Sequence, residues 1–178
     1  RFETVSEEAS LRRRDRLPMT GPALIVANHN SHLDTLVLMA LLPWRSWHRV
    51  RPVASADYFL RDRKRAWFTT RVIGIIPVAA GGGRPQAEVL EPVHAALRAG
   101  DIVIFFPEGT RGEPERLGKL KTGIAWLAEQ LPDVVICPVY LHGLGKVLPK
   151  GDWLPVPFFC DAWVRESLRW TGERASFM

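Results

Sequence analysis

Pro22-Ala23-Leu24-Ile25-Val26-Ala27, running straight into Asn28-His29-Asn30-Ser31-His32-Leu33-Asp34, is the stretch from which the fold can be read. Six residues without polar alternation indicate a strand covered on both faces, as in a parallel sheet between helices. Asn28 ends that strand. From Ser31 to Leu42 the apolar density continues at helical length, and Pro43 stops it because proline cannot extend a helix. Strand, short polar loop and buried helix form half of a βαβ unit, and open α/β sheets gather ligands at the carboxyl ends of their strands.

His29 stands at such an end, and Asp34 falls in the first turn of the following helix. A carboxylate five residues on can reach back to one ring nitrogen, fix the tautomer and leave the other nitrogen free as a base. Two other readings stay open at this point. Ser31 with Asp34 three residues later resembles a capping box, which makes His29 an ordinary loop residue. His29, His32 and Asp34 also cluster as metal ligands do, although residues two apart on a helix do not share a face.

The remainder of the chain repeats the strand–helix theme. Strands are expected at 51–56, 74–79, 102–106, 134–140 and 158–164, with helices over 57–71, 85–99 and 121–130. Residues 1–20 are polar and charged and read as a short helical lead-in. Gly81-Gly82-Gly83-Arg84 is a flexible loop, and Trp153-Leu154-Pro155-Val156-Pro157 a surface excursion. The expected fold class is α/β: a single-domain layered structure with a largely parallel, twisted sheet flanked by helices.

Composition sets the outer limits. At 178 residues, nearly half apolar and about a quarter charged, the chain can bury one substantial core. No run approaches the roughly 18–20 apolar residues that span a bilayer. Residues 1–20 lack the apolar centre of a signal peptide, an expectation against export that holds if Arg1 is the true start. Beginning without Met, the chain is expected to be a fragment or a trimmed product. Cys137 and Cys160 are expected to be small buried hydrophobes, not a metal or disulfide pair. A net charge of +5 favours an anionic partner without choosing one.

A second constellation follows the strand at 102–106: Phe105-Phe106-Pro107-Glu108-Gly109-Thr110-Arg111-Gly112. Gly109 permits close backbone approach, Thr110 carries a hydroxyl, and Arg111 offers a fork suited to phosphate or carboxylate. An ordinary glycine turn with a solvated Glu–Arg pair is the plainer alternative. A base at one strand end and an anion receptor at a neighbouring one say more together than either does alone.

Here the sequence resembles a known family. Asn28 to Asp34 looks like the His-x4-Asp block of the glycerolipid acyltransferases, the PlsC-like 1-acylglycerol-3-phosphate acyltransferase family. Phe106-Pro107-Glu108-Gly109-Thr110-Arg111 matches that family's Phe-Pro-Glu-Gly-Thr-Arg block. Lys121-Thr122-Gly123 resembles its Lys-x-Gly helix start, and Ile136-Cys137-Pro138-Val139 its proline-containing last strand. The resemblance covers roughly residues 18–165 and implies an acyltransferase domain at 21–170, between the lead-in 1–20 and a tail at 171–178. In one place the pattern departs: Ala80 stands where the family's second block ends in arginine, which puts lysophosphatidate specificity in doubt.

The resemblance implies an O-acyltransferase that moves a fatty acyl group from acyl-CoA or acyl-ACP to a lysophospholipid hydroxyl. His29 would act as the base and Asp34 as its orienting partner. Glu108, Gly109, Thr110 and Arg111 would bind the acceptor and its phosphate, with Asn28, Ser31, Lys121, Gly123 and Pro138 in support. Acyl-CoA or acyl-ACP is implied as the co-substrate; no metal and no separate cofactor are expected. The alternatives are a non-catalytic lipid-binding module of the same fold and a metal-dependent hydrolase using His29, His32 and Asp34.

Residues 57–73 mix aromatic and basic side chains, which suits either a plain amphipathic helix on the sheet or peripheral contact with a membrane; the implied lipid substrates favour contact, at the cytoplasmic face. No nucleic-acid motif is present. Gly112 and Gly118-Lys119 imitate a P-loop but have one residue too many between the glycines, and Leu120 where Ser or Thr must bind magnesium.

Overall fold

The computed structural model describes residues 11–31, 33–56, 63–79, 83–110, 112, 118, 120–147 and 160–172. Strands β1 (Leu11–Arg12), β2 (Ala23–Ala27), β3 (Val50–Ser55), β4 (Ile76–Val78), β5 (Ile102–Phe105), β6 (Val135–His142) and β7 (Asp161–Val164) form one sheet. Their order is β1-β7-β6-β2-β5-β3-β4. β2 lies at the centre, parallel to both β5 and β6. β3 pairs parallel with β5 and β4, whereas β7 returns antiparallel to β6. The largely parallel α/β sheet expected from the sequence is the architecture found.

Burial explains why the strands read as unbroken apolar runs. Ala23, Ile25 and Ala27 of β2, with Ile102 and Ile104 of β5 and Phe106 just beyond it, face one core. Leu24, Val103 and Phe105 face the other. Each strand must therefore be apolar at successive positions, not at alternate ones. The first core is closed by α1 (Leu33–Leu41), with Ile73 also packed against it. The second is closed by α3 (Gln86–Arg98) and α4 (Gly123–Gln130). The sheet thus has two distinct helical layers, and a short α5 (Leu144–Val147) follows β6.

Several expectations need correction. The lead-in is not simply helical: Leu11–Arg12 pairs with Ala162 and Trp163 of β7, and only a three-residue 3-10 turn follows at Arg14–Arg16. The helix expected over 57–71 is described only from Arg63. There it runs as α2 (Arg63–Phe68) and then widens to a π turn at Thr69–Ile73, closed by Gly74 at φ 79°. The strand expected at 74–79 shortens to Ile76–Val78, because Gly74 still belongs to that helix end. Pro22 precedes β2 and does not join it, and the Gly21–Pro22 peptide is cis. A 3-10 helix at Trp44–Arg49 was not anticipated. It is pinned by the Trp47 indole, whose N–H donates at 2.9 Å to Met39 O, a carbonyl near the end of α1 that also accepts from Leu42 N. His32, Ala80, Arg111 and residues 57–62 and 158–159 lie outside the described residues.

Candidate active site

The central strand delivers its last two functional residues in different directions. Asn28 is buried and turns towards β6: its amide donates to Leu141 O at 2.8 Å and its carbonyl accepts from Leu141 N at 2.7 Å. This two-point bond continues the β2–β6 ladder beyond the end of β2 and fixes the backbone from which His29 departs. His29 then stacks on Phe106, centroids 4.2 Å apart and planes 21° from parallel. Because Phe106 belongs to the core under α1, the imidazole sits on the α1 side of the sheet.

Asp34 is fully buried, and one oxygen does most of its work. Oδ2 accepts from His29 Nδ1 at 2.9 Å, from Asn30 N at 2.7 Å and from Ser31 N at 2.8 Å. Two of these donors are backbone amides that cannot reverse role, so Oδ2 acts as an acceptor towards the ring as well. Nδ1 therefore carries the proton, and Nε2 is left with a lone pair. The same contacts are those of a helix N-terminus, since the carboxylate satisfies two N–H groups just ahead of α1. Capping and orientation of the histidine are one arrangement. Bonded to each other, Nδ1 and Oδ2 are not together available as ligands of one metal ion.

Glu108 is placed differently from the acceptor-facing role implied by the family resemblance. It is buried, Oε1 accepts from His29 N at 3.0 Å, and Oε2 accepts from Gly118 N at 3.3 Å. The carboxylate thus bridges the His29 loop and the loop ahead of α4. Gly112 N donates to His29 O at 2.9 Å, so both backbone polar groups of His29 are held. Of the glycines that mimic a P-loop in sequence, Gly112 bonds the histidine loop and Gly118 bonds Glu108. At Gly118 a Cβ would meet Glu108 Oε2 at 2.7 Å, so a side chain would disturb the clamp.

Gly109 turns at φ 72°, and a Cβ there would run into the Lys121 ammonium. Lys121 is anchored by its own N–H to Pro107 O at 2.9 Å, so a cation lies against the outer side of the glycine turn. Thr110 is exposed next to it. Gly123 opens α4 in a buried position against Leu90 and Phe105, and Pro138 lies in register with Val26 on β2. Histidine loop, glycine turn and Lys121 thus converge at the carboxyl ends of β2 and β5. Sequence reading missed the Phe106 stacking, the inward turn of Glu108 and the contributions of Gly112 and Gly118. The block Phe106–Arg111 flagged the region but not the direction of its side chains.

Fold and site together define an α/β protein with a carboxylate-oriented histidine beside a cationic glycine turn, the equipment for deprotonating a hydroxyl. The acyltransferase family model matches residues 8–142, and the chain belongs to that family. Among its relatives is the chloroplastic 1-acyl-sn-glycerol-3-phosphate acyltransferase LPAT1 of Arabidopsis thaliana. It is 31% identical over 139 residues, covering 78% of this chain and 37% of that protein. The corresponding BAT2 protein of Brassica napus is 30% identical over 139 residues, with 78% and 38% covered. The chain spans less than two fifths of the length of these two relatives. In fold it resembles the crystal structure of the 1-acyl-sn-glycerophosphate (LPA) acyltransferase PlsC from Thermotoga maritima. The TM-score is 0.72 at 21% identity, over 94% of this chain and 63% of that one.

Proposed function

We propose that this protein transfers a fatty acyl group from a thioester, acyl-CoA or acyl-ACP, to the hydroxyl of a lysophospholipid such as 1-acylglycerol-3-phosphate. The carrying observation is the 2.9 Å bond from His29 Nδ1 to an Asp34 oxygen that two backbone amides already hold in place. Nε2 takes the acceptor's hydroxyl proton as its oxygen attacks the thioester carbonyl. The carbon–sulfur bond then breaks, and the imidazolium returns the proton to the leaving thiolate. The reaction consumes only the two substrates and calls for no metal and no further cofactor. Lys121 beside Gly109, with Thr110 and Arg111 of the same loop, is assigned to the acceptor's phosphate. Glu108 is assigned to positioning, and Asn28, Ser31, Gly123 and Pro138 to the frame around it.

The names of the relatives support a lysophosphatidate-type acceptor, and the match of Phe106–Arg111 to the family block supports the same pocket. No described helix is long and apolar enough to cross a membrane. The working location proposed is peripheral, at the cytoplasmic face of a membrane, with contact through 57–73. Of that stretch 63–73 is described, and Trp67, Phe68 and Val72 are exposed on it.

The test is acyl transfer from labelled acyl-CoA and acyl-ACP to a panel of lyso-lipids. His29→Ala is expected to lower turnover by about 10²–10⁴-fold. Wild type and His29→Ala behaving alike on every active acceptor would sink the mechanism. Lipid binding without turnover would favour the non-catalytic module, and stoichiometric zinc or manganese on elemental analysis would favour the hydrolase.

A further inference from the structure

The proposed reaction occupies the carboxyl end of the sheet and leaves the amino end without a task. There the lead-in to β2, the 3-10 helix at Trp44–Arg49 and the turn into β5 border a cavity of about 290 Å³. Thr20, Gly21, Arg45, Ser46, His48 and Arg49 are among the residues that line it. From Ala23 to His29 the central strand and its extension cover about 20 Å at roughly 3.3 Å per residue, so this cavity is remote from the base.

Three chain segments are tied together around it. At Gly21 a Cβ would run into Gly100 O and would meet Asp101 O at 2.7 Å, so the lead-in and the turn approach backbone to backbone. The Ser46 hydroxyl donates to Met19 O at 3.2 Å, which joins the 3-10 helix to the lead-in. Arg49 Nη1 donates to Ala99 O and Gly100 O, both at 3.3 Å, where α3 ends in open carbonyls.

The lining is one-sided in charge: two arginines and a histidine, with no Asp or Glu. Asp101, next in sequence to the lining residue Gly100, is taken by Arg51 Nε at 3.1 Å. Arg45 lies over the Trp44 ring at 5.5 Å. Among the described residues, neither the Arg45 nor the His48 side chain has a hydrogen-bond or ion-pair partner. In a 3-10 helix three residues make a turn, so Arg45 and His48 share one edge and Arg49 lies beside them. Capping of α3 accounts for Arg49 and fixes its plane. It accounts for neither Arg45 nor His48, and gathering two guanidinium groups at one cavity costs mutual repulsion that an anion would relieve.

From this arrangement we infer that the cavity at the amino end of the sheet is a second anion site, which takes the phosphate group of a small water-soluble ligand. A guanidinium presents its N–H donors in a planar fork that matches phosphate oxygens. Arg45 offers its whole fork, and Arg49, held through Nη1, keeps its remaining N–H groups. The His48 ring N–H and the Thr20 hydroxyl add neutral donors. At about 290 Å³ the cavity stands at the lower edge of the roughly 300–1,000 Å³ usual for ligand clefts, room for a phosphate and the small group that carries it. The site is independent of the acyl-transfer reading.

Because Lys121 and Arg111 are assigned to the acceptor's phosphate, the test begins with the Lys121→Gln, Arg111→Gln protein. Inorganic phosphate is titrated against chloride at constant ionic strength while thermal unfolding is followed. Binding to the folded state alone should raise Tm by about 3–6 °C once phosphate exceeds its dissociation constant tenfold. Adding Arg45→Gln with His48→Gln should abolish that rise; Arg49 stays in place because it also holds the end of α3. With Arg45 and His48 intact, the His48 ring signals in NMR spectra should shift over the same phosphate range, a readout that needs no variant of the cavity. A rise already absent from the Lys121→Gln, Arg111→Gln protein, with His48 unmoved, overturns the site. So does a rise that survives Arg45→Gln with His48→Gln. A lipid headgroup carries the same phosphate chemistry, so vesicles of phosphatidylcholine with phosphatidate form a parallel arm. Capture by those vesicles through Arg45 and His48, with free phosphate ignored, overturns the soluble ligand.

Discussion

Asp34→Asn separates the two duties of the buried carboxylate. All three donors reach the same oxygen, Oδ2, while Oδ1 is buried with no hydrogen-bond partner among the described residues. An asparagine whose carbonyl takes the Oδ2 position and whose NH2 takes the Oδ1 position keeps all three bonds and the histidine tautomer. What it loses is the negative charge facing the imidazolium formed during proton transfer. With charge centres about 4 Å apart and an effective dielectric near 20, that attraction is about 4 kcal/mol, or roughly 10³-fold in rate. Asp34→Ala removes the acceptor itself and orphans three donors, at about 1–3 kcal/mol for each that remains buried. The asparagine variant should therefore melt close to wild type yet turn over about 10³-fold more slowly, and the alanine variant should lose both stability and activity. Single-turnover acyl transfer paired with thermal unfolding reads the two quantities. An asparagine variant within tenfold of wild-type rate refutes charge stabilisation of the imidazolium; an alanine variant of unchanged stability refutes the three-donor network.

Glu108→Gln has one carbonyl oxygen for two backbone donors, so either His29 N–H or Gly118 N–H must face an NH2 group. Losing a charge-assisted bond of about 1.5–3 kcal/mol should lower kcat about 10- to 100-fold with little change in KM for the thioester. A rise in acceptor KM at constant kcat would instead return Glu108 to the acceptor pocket. Cys137 has its thiol pushed up from 9.0 to about 11 by burial, opposed by a hydrogen bond from Ser167. It should resist alkylation in the native state at pH 8, which mass spectrometry checks after iodoacetamide treatment. Because the unfolded chain releases that proton first, stability contributed by the buried thiol is intact below pH 9 and declines between 9 and about 11. Denaturant melts across that window should show the decline in wild type and lose part of it in Cys137→Ala.

The elements legible in the sequence are those whose residues carry the signal locally. β2 and β5 are short and unbroken because both faces are covered, and each ends at a polar loop. β1 was illegible because nothing in Leu11-Arg12 distinguishes a strand; it exists through pairing with β7 near the other end of the chain. The 3-10 helix escaped notice since six residues offer only two turns of a period-three pattern. In the site, His29 and Asp34 were readable because both lie on one short segment with fixed geometry. The inward turn of Glu108 was not, since a residue past the end of a strand has no alternation to set its direction, and its partners lie on two other loops.

Asp34 fits two descriptions in sequence, the capping partner of Ser31 and the orienting partner of His29, and one carboxylate oxygen makes both sets of contacts. A cap by itself needs a carboxylate only as an acceptor for backbone N–H groups, and would leave a neighbouring histidine free to rotate. His29 is instead held at four places: its N–H by Glu108, its carbonyl by Gly112, Nδ1 by Asp34, and its ring face by Phe106. None of these restraints acts on Nε2. Fixing a ring this closely lowers the entropy that must be lost when a hydroxyl is brought to it, and is of use only if that nitrogen has a geometric task. A lipid-binding module gains nothing from an imidazole so confined. The proton transfer proposed for this site would gain from it, and the cap that begins α1 is the part of the fold that holds the ring in place.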